Sequence, residues 1–255
     1  CSAKGRMQAS FLAWREGEAF RLVVAGDLEA ASLKRLQMFV LRSRVKLASL
    51  SEQLALLGLS GPQAGAALAA AGLPCPLGPL TSAHDARASV VALDSDRYLL
   101  AVAPEALPEP WRQLAQVARP AGVPVWRWLD VRAGFPLVTA ATKEEFVPQM
   151  ADFEKLGGVS FHKGCYPGQE IVARTQYLGK VKRHLFRVRS DQPLPAGADL
   201  YSPDNPDQAC GKIVSGAPAP TGGHTALAVV QSNFAGNLHL GSREGPQIEA
   251  AAVNP

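Results

Sequence analysis

Between Leu156 and Arg174 the chain gathers one thiol (Cys165), two fixed cations (Lys163 and Arg174), a carboxylate (Glu170), an amide (Gln169) and four glycines (Gly157, Gly158, Gly164, Gly168). A cation beside a thiol favours the thiolate, the form that attacks electrophiles and binds metals. Glycines on both sides let backbone turn sharply, or let a substrate approach closely. A free cysteine is equally at home as a small buried hydrophobe, and both readings stand at this point. Glu170 and Arg174 are four residues apart. If 168–176 is helical they face each other as a pair worth about 0.2–0.5 kcal/mol, and Gly168 falls near the helix start, where free N–H groups can hold an anion. They form either one polar wall of a ligand site, with Gln169, or an ordinary surface pair.

Other chemistries find less support. The four cysteines, Cys1, Cys75, Cys165 and Cys210, contain no C-x-x-C pair. That pattern argues against a zinc site or a self-contained iron–sulfur cradle, and it lacks the density of a disulfide scaffold. A reducing, cytoplasmic setting is the expectation. His84-Asp85 and His224 have no nucleophile near them in sequence, so a hydrolase triad is unsupported. No dinucleotide fingerprint or P-loop occurs. Lys180, Lys182, Arg183, Arg187 and Arg189 form a basic run around Phe186 without an acid from 180 to 190. In a strand, Lys182, His184, Phe186 and Val188 share one face and Arg183, Arg187 and Arg189 the other. The run suits carboxylates or RNA phosphates, or is simply a solvated strand face.

The elements that must position these groups are those of a sizeable globular protein. The 255 residues are 47% hydrophobic and 19% charged, with a net charge of +4, which excludes a disordered chain and is too mild to name an anionic partner. No apolar run of about 18 residues exists to span a bilayer. Cys1 in first position fits a processed, lipid-bearing terminus, but the residues after it read as mid-domain, so an upstream segment is expected.

Residues 8–14 and 18–25 alternate around Glu16-Gly17-Glu18 as a hairpin. Asp27 can cap a helix over 28–42 with Leu33, Leu36 and Val40 as its apolar stripe; Arg42, Arg44 and Lys46 then suit its negative pole or face water. Strands are expected at 45–50 and 54–59, a helix from Pro62 to Ala71 closed by Gly72, a hairpin of 88–93 and 98–102, a helix over 111–118 and a strand over 123–131. Helices recurring between paired strands fit an α+β, ferredoxin-like domain. After about Lys180, short apolar runs (184–188, 209–215, 225–230, 247–253) separated by Pro, Gly and Asp suggest a small antiparallel barrel.

The run Lys163-Gly164-Cys165-Tyr166-x-Gly168-Gln169-Glu170, continued by Arg174 and Tyr177-x-Gly179, resembles the signature of the YgfZ family, within the superfamily of the glycine cleavage T-protein (aminomethyltransferase). Pro148-Gln149-Met150, Leu156–Phe161 and Lys4-Gly5-Arg6-Met7 also match. The resemblance covers essentially the whole chain. It implies three modules around a central opening: a split first domain (1–25 and 120–180, with its N-terminal part missing), a ferredoxin-like insertion (26–119) and a C-terminal antiparallel β-barrel (181–255). It further implies tetrahydrofolate, or a one-carbon derivative, as cofactor. The role implied is that of an accessory factor in assembly or repair of iron–sulfur clusters in client proteins, including radical enzymes that thiolate tRNA. Cys165 becomes the functional thiol, touching a cluster only together with a partner; Lys163, Gly164, Tyr166, Gly168, Gln169, Glu170, Arg174 and Asp152 become the folate-binding surroundings. Asp152 stands where many members have Asn, exchanging a donor for an acceptor-only carboxylate. A tetrahydrofolate-dependent aminomethyl transferase and a direct tRNA-binding module are the alternatives.

Overall fold

The computed structural model describes residues 1–179, 181–205 and 208–253. It divides the chain into two compact units: 11–24 with 29–121, and 1–10 with 25–28 and 122–255.

The first of these begins with the expected hairpin, β1 (Leu12–Glu16) and β2 (Ala19–Val23), turning at Gly17, whose φ of 59° favours glycine. Helix α1 (Glu29–Gln37) comes next. Strand β3 (Ala55–Ser60), helix α2 (Ala64–Ala70), strands β4 (Ser82–His84), β5 (Ala88–Ala92) and β6 (Arg97–Val102) and helix α3 (Pro108–Leu114) complete the unit. The sheet is antiparallel, in the order β3-β6-β5-β4. Its two faces are both apolar because alternate residues are buried on opposite sides. Leu59, Val90, Leu100 and Val102 pack with Ala64, Leu68 and Leu114 of the helices. Val91 and Ala101, on the other face, pack with Trp14 of the hairpin. The helices thus cover one face and the hairpin the other.

The second unit holds helix α4 (Val123–Arg132), helix α5 (Gln169–Tyr177) and strands β7 (Arg183–Ser190), β8 (Asp199–Tyr201), β9 (Gly211–Pro218), β10 (His224–Gln231), β11 (Leu238–Leu240) and β12 (Gln247–Ala252). The six strands close into an antiparallel barrel, β10-β7-β12-β11-β8-β9. Closure leaves no exposed edge. Val188, Leu200, Ile213, Ala226, Ala228 and Val230 fill the interior. Residues 144–146 pair with the N-terminal segment: Met7 N donates to Phe146 O (2.8 Å) and Glu144 N to Met7 O (2.7 Å). Lys212 on β9 bridges to Glu145 (3.6 Å) and Asp199 (3.0 Å).

Several local expectations are corrected. Residues 123–131 form α4 instead of a strand: Pro124, lacking an N–H, occupies its first turn, where no intrahelical donor is needed. The alternating valines that suggest a strand are also compatible with a helix lying on the barrel, and α4 packs on β9 and β10 with Val131 buried. No strand forms over 45–50. Helix α1 ends at Gln37 rather than 42, and Asp27 Oδ2 accepts from Ala140 N (3.0 Å). The basic run's Lys180, the expected domain boundary, lies outside the described residues. Among the described residues no helix is long and apolar enough to cross a membrane.

Candidate functional site

Helix α5 carries the centre of the motif. It starts because Gly168 adopts a left-handed conformation (φ 82°, ψ 3°) immediately before Gln169. A side chain there would collide with the N-terminal turn: a Cβ on Gly168 would run into the Ser2 carbonyl and stand 2.7 Å from Gly5 N. Gly5 is left-handed too (φ 69°), and Ile171 fills the space beside its Cα. The second glycine of the signature is therefore fixed by backbone-to-backbone packing.

Val172 anchors the helix inward. It is fully buried, and its carbonyl accepts from Gln149 Nε2 at 2.8 Å. Gln149 belongs to a 3-10 turn, Pro148–Ala151, which ends at Asp152 with φ 55°. An acidic or amide residue tolerates that left-handed position better than most. Gln149 and Asp152 are buried, and one oxygen of each, Gln149 Oε1 and Asp152 Oδ1, has no hydrogen-bond partner among the described residues. Asp152 Oδ2 accepts from Lys155 Nζ at 3.0 Å. Glu154 Oε2 is a third buried acceptor without a donor. Burial pushes the Glu154 carboxyl above the usual carboxylate range, and the neighbouring Asp152 charge adds to this. Buried acceptors are nearly always satisfied; these three, within six residues of sequence, are among eight buried side-chain atoms left without a partner among the described residues.

The same turn supplies Val147 and Met150 to a cavity of about 420 Å³, whose other walls include Thr175 of α5, Lys182 and Arg183 leading into β7, and Gln231 of β10. The cavity has an apolar side from the turn and a cationic side from the entry to the barrel.

The thiol loop lies on the outside. Cys165 is exposed, as are Lys163 and Gly164, while Tyr166 is half-buried and burial raises its phenol's pKa. Lys163 Nζ sits 4.4 Å from the Tyr166 ring centroid, a cation–π contact worth about 0.5–1 kcal/mol at an exposed site. Its charge is thus engaged by the ring. A Cβ on Gly164 would meet nothing within 4 Å. The loop is held to the helix by Phe161, whose ring meets Tyr177 edge-on at 6.0 Å. Among the described residues Glu170 and Arg174, both exposed, form no ion pair with each other despite their helical spacing. No group of three or more His, Cys, Asp or Glu side chains among the described residues is placed to hold a metal ion.

The structure therefore separates the sequence-derived residues into two sets. Gln169, Glu170 and Arg174 lie on α5 with Gly168 just before it, and Gln149 bonds this helix to the turn that ends at Asp152; Lys163, Gly164, Cys165 and Tyr166 form the outer loop. Gln149 and Glu154 are absent from the sequence-derived set of site residues. The available signal was a glutamine wedged between Pro148 and Met150 in the apolar run Val147–Ala151, since a polar residue in such a run is buried with a purpose or not at all. The basic run also resolves. Phe186 packs against the barrel core and Val188 within it, whereas Arg187 lies outside and donates to the carbonyls of Val131 (3.4 Å) and Arg132 (2.6 Å) at the end of α4.

No family model matches the chain. It is 33% identical over 204 residues to a tRNA-modifying protein YgfZ of Yersinia pseudotuberculosis, covering 78% of this chain and 62% of that protein. It is 34% identical to that of Yersinia enterocolitica, with the same coverage, and 33% identical to that of Pectobacterium carotovorum, covering 78% and 61%. The chain thus spans about three-fifths of the length of these curated relatives. In structure it resembles the glycine cleavage system aminomethyltransferase T of Bartonella henselae, with a TM-score of 0.75 at 20% identity, over 98% of this chain and 72% of that one. In sequence the chain is thus similar to YgfZ proteins over about three-fifths of their length, and it is built on the fold of the glycine cleavage T-protein.

Proposed function

We propose that this protein is a folate-binding accessory factor that supports assembly or repair of iron–sulfur clusters in client enzymes, including radical enzymes that thiolate tRNA, in a reducing cytoplasm. The observation that carries the reading is the trio of buried, donorless oxygens: Gln149 Oε1, Asp152 Oδ1 and Glu154 Oε2. A pterin presents several N–H donors along one edge, and acceptor oxygens are what such an edge requires. Asp152, in place of the family's Asn, supplies an acceptor with a full charge, and the fit with a donor edge is kept. Gln169, Glu170 and Arg174 on α5 and the cations Lys182 and Arg183 beside the cavity are suited to the ligand's polar and carboxylate parts. When bound, tetrahydrofolate would supply a reduced ring whose nitrogens can carry one carbon unit.

The thiol loop supports the second half of the reading. Cys165 is exposed on a loop whose neighbouring glycine leaves open space. One thiol cannot hold a cluster alone, so any cluster contact draws its remaining ligands from a partner. Cys75, Cys165 and Cys210 are free thiols among the described residues, as a reducing compartment would keep them. Calorimetric titration with tetrahydrofolate tests the ligand: measurable binding that weakens at least about tenfold in Asp152→Ala, a loss of about 1.4 kcal/mol, is expected. Absence of binding by the native chain refutes it. Cys165→Ala is expected to leave folding and folate binding intact and to lower the activity of a tRNA-thiolating client; an unchanged client refutes the role of the thiol.

An aminomethyl transferase is the alternative within the same fold, and tetrahydrofolate-dependent ammonia release would reveal it. A direct tRNA-binding role is weakened by Arg187, whose guanidinium is engaged by the end of α4.

A further inference from the structure

Leu33 and Leu36 of α1 and Val40 just beyond it form an apolar stripe, yet none of the helix's residues is buried. The segment after it is more exposed still. Leu36, Met38, Phe39, Leu41 and Val45 all present apolar side chains to solvent, Leu41 at 89% exposure. Residues 30–51 contain no Asp or Glu beyond the helix's first turn, and Lys34, Arg35, Arg42, Arg44 and Lys46 add five positive charges. Among the described residues none of these five is in an ion pair.

This excursion is anchored. Ser51 Oγ donates to Glu29 Oε2 at 2.8 Å and Ser49 Oγ to the other oxygen of Glu29, so its far end is held at the start of α1. Turn bonds Phe39 N to Leu36 O (3.0 Å) and Ser43 N to Val40 O (2.8 Å) shape the middle. The Arg35 guanidinium lies over Phe39 at 5.8 Å. Leu41 has φ of 34°, in the left-handed region that a leucine avoids. An unfavourable backbone conformation that only serves to hold a leucine in water stabilises nothing in the free protein, and strain of this kind gathers at binding sites.

We propose that residues 34–46 dock a partner protein whose contact face is acidic around an apolar pocket, with Leu41 entering the pocket. Interfaces combine an apolar centre with a charged rim, and a few anchors in pockets dominate them. RNA would neutralise the arginines but offers no pocket for aliphatic side chains; its bases stack on aromatic rings, and Phe39 is the one aromatic in this segment. A membrane surface needs an amphipathic helix with one continuous apolar face, whereas here α1 ends at Gln37 and Arg42, Arg44 and Lys46 interrupt the apolar residues that follow. The surface is independent of the folate reading, and either can fail alone.

The test titrates the whole chain, at about 50 mM salt so that screening is weak, with a labelled helical peptide of leucine and glutamate. A peptide of equal charge with serine for leucine, a tRNA and phosphatidylglycerol vesicles serve as comparisons. The leucine–glutamate peptide is expected to bind at least about tenfold more tightly than each comparison. Leu41→Gly is expected to weaken that binding about tenfold or more while leaving the melting temperature unchanged or higher, because glycine accepts the backbone at no cost. Arg42→Glu with Arg44→Glu is expected to weaken it further and to remove its salt dependence. No binding by the native chain, full binding by Leu41→Gly, a lowered melting temperature in that variant, or tighter binding of tRNA or vesicles would each overturn the proposal.

Discussion

Gly168 and Gly5 meet backbone to backbone: a Cβ on Gly168 would stand 2.7 Å from the nitrogen of Gly5 and 2.8 Å from its Cα. Two stretches more than 160 residues apart in the chain thereby place the start of α5, and with it the Gln169, Glu170 and Arg174 side chains. The two glycines flanking the thiol are consequently different in kind.

Gly168→Ala is expected to destabilise the fold by about 2 kcal/mol or more, from the left-handed backbone and the collision together. Gly164→Ala meets open space and is expected to stay within about 0.5 kcal/mol of the native chain. Denaturant unfolding of both variants checks this. Equal stabilities would mean that the glycine contact does not hold α5. A Gly164 variant that is stable yet impairs the client would show that the space beside Cys165 is used by an incoming group.

Arg187→Ala is expected to cost about 1 kcal/mol by removing the cation and donors at the carbonyl end of α4, read from thermal unfolding. Any RNA binding should keep its salt slope in this variant. A slope reduced by about one unit, with stability unchanged, would return Arg187 to a phosphate-binding role.

The carboxyl of Glu154 is raised above its ordinary 4.5, first by burial and then by Asp152. The folded chain thus holds the proton more tightly than the unfolded one. The stabilisation from the neutral form is whole below about pH 4.5 and fades as pH rises through the raised value. Glu154→Gln stays neutral, so its melting temperature should gain on the native chain as pH climbs from about 4.5 towards 7. Parallel curves would contradict the burial of this carboxyl. Glu16, held down mainly by its bond from Arg21, acts in the opposite direction and below that window.

Asp152→Asn is expected to leave stability within about 0.5 kcal/mol, since Asn accepts the left-handed position as well as Asp and the ion pair to half-exposed Lys155 is worth little. Folate affinity should change about threefold or more in either direction, because an acceptor-only oxygen becomes one face of an amide. Unfolding and calorimetry separate the two effects. Unchanged affinity would remove Asp152 from the ligand site.

Legibility varied with the range of the forces involved. The hairpin at Gly17, the helix from Gln169 and the barrel runs rest on local turn chemistry and alternation, and all were readable. The 123–131 segment was not, because its valines alternate like a strand while Pro124 starts a helix; packing on β9 and β10 is what distinguishes them. Glu170 and Arg174 have the spacing of an ion pair but remain apart, since water competes well for exposed charges.

By itself the sequence determined the signature around Cys165, the family it resembles, the antiparallel barrel and the lack of any C-x-x-C pair, since all of these rest on residue identity and short spacing. Tertiary structure alone decided that Gly168 is packed and Gly164 is open, that Arg187 serves α4, and that Gln149, Asp152 and Glu154 each keep an acceptor without a donor. The reason is physical: burial, close contact and unsatisfied hydrogen bonding are properties of groups brought together from distant parts of the chain, and no local pattern encodes which of them will be left without a partner.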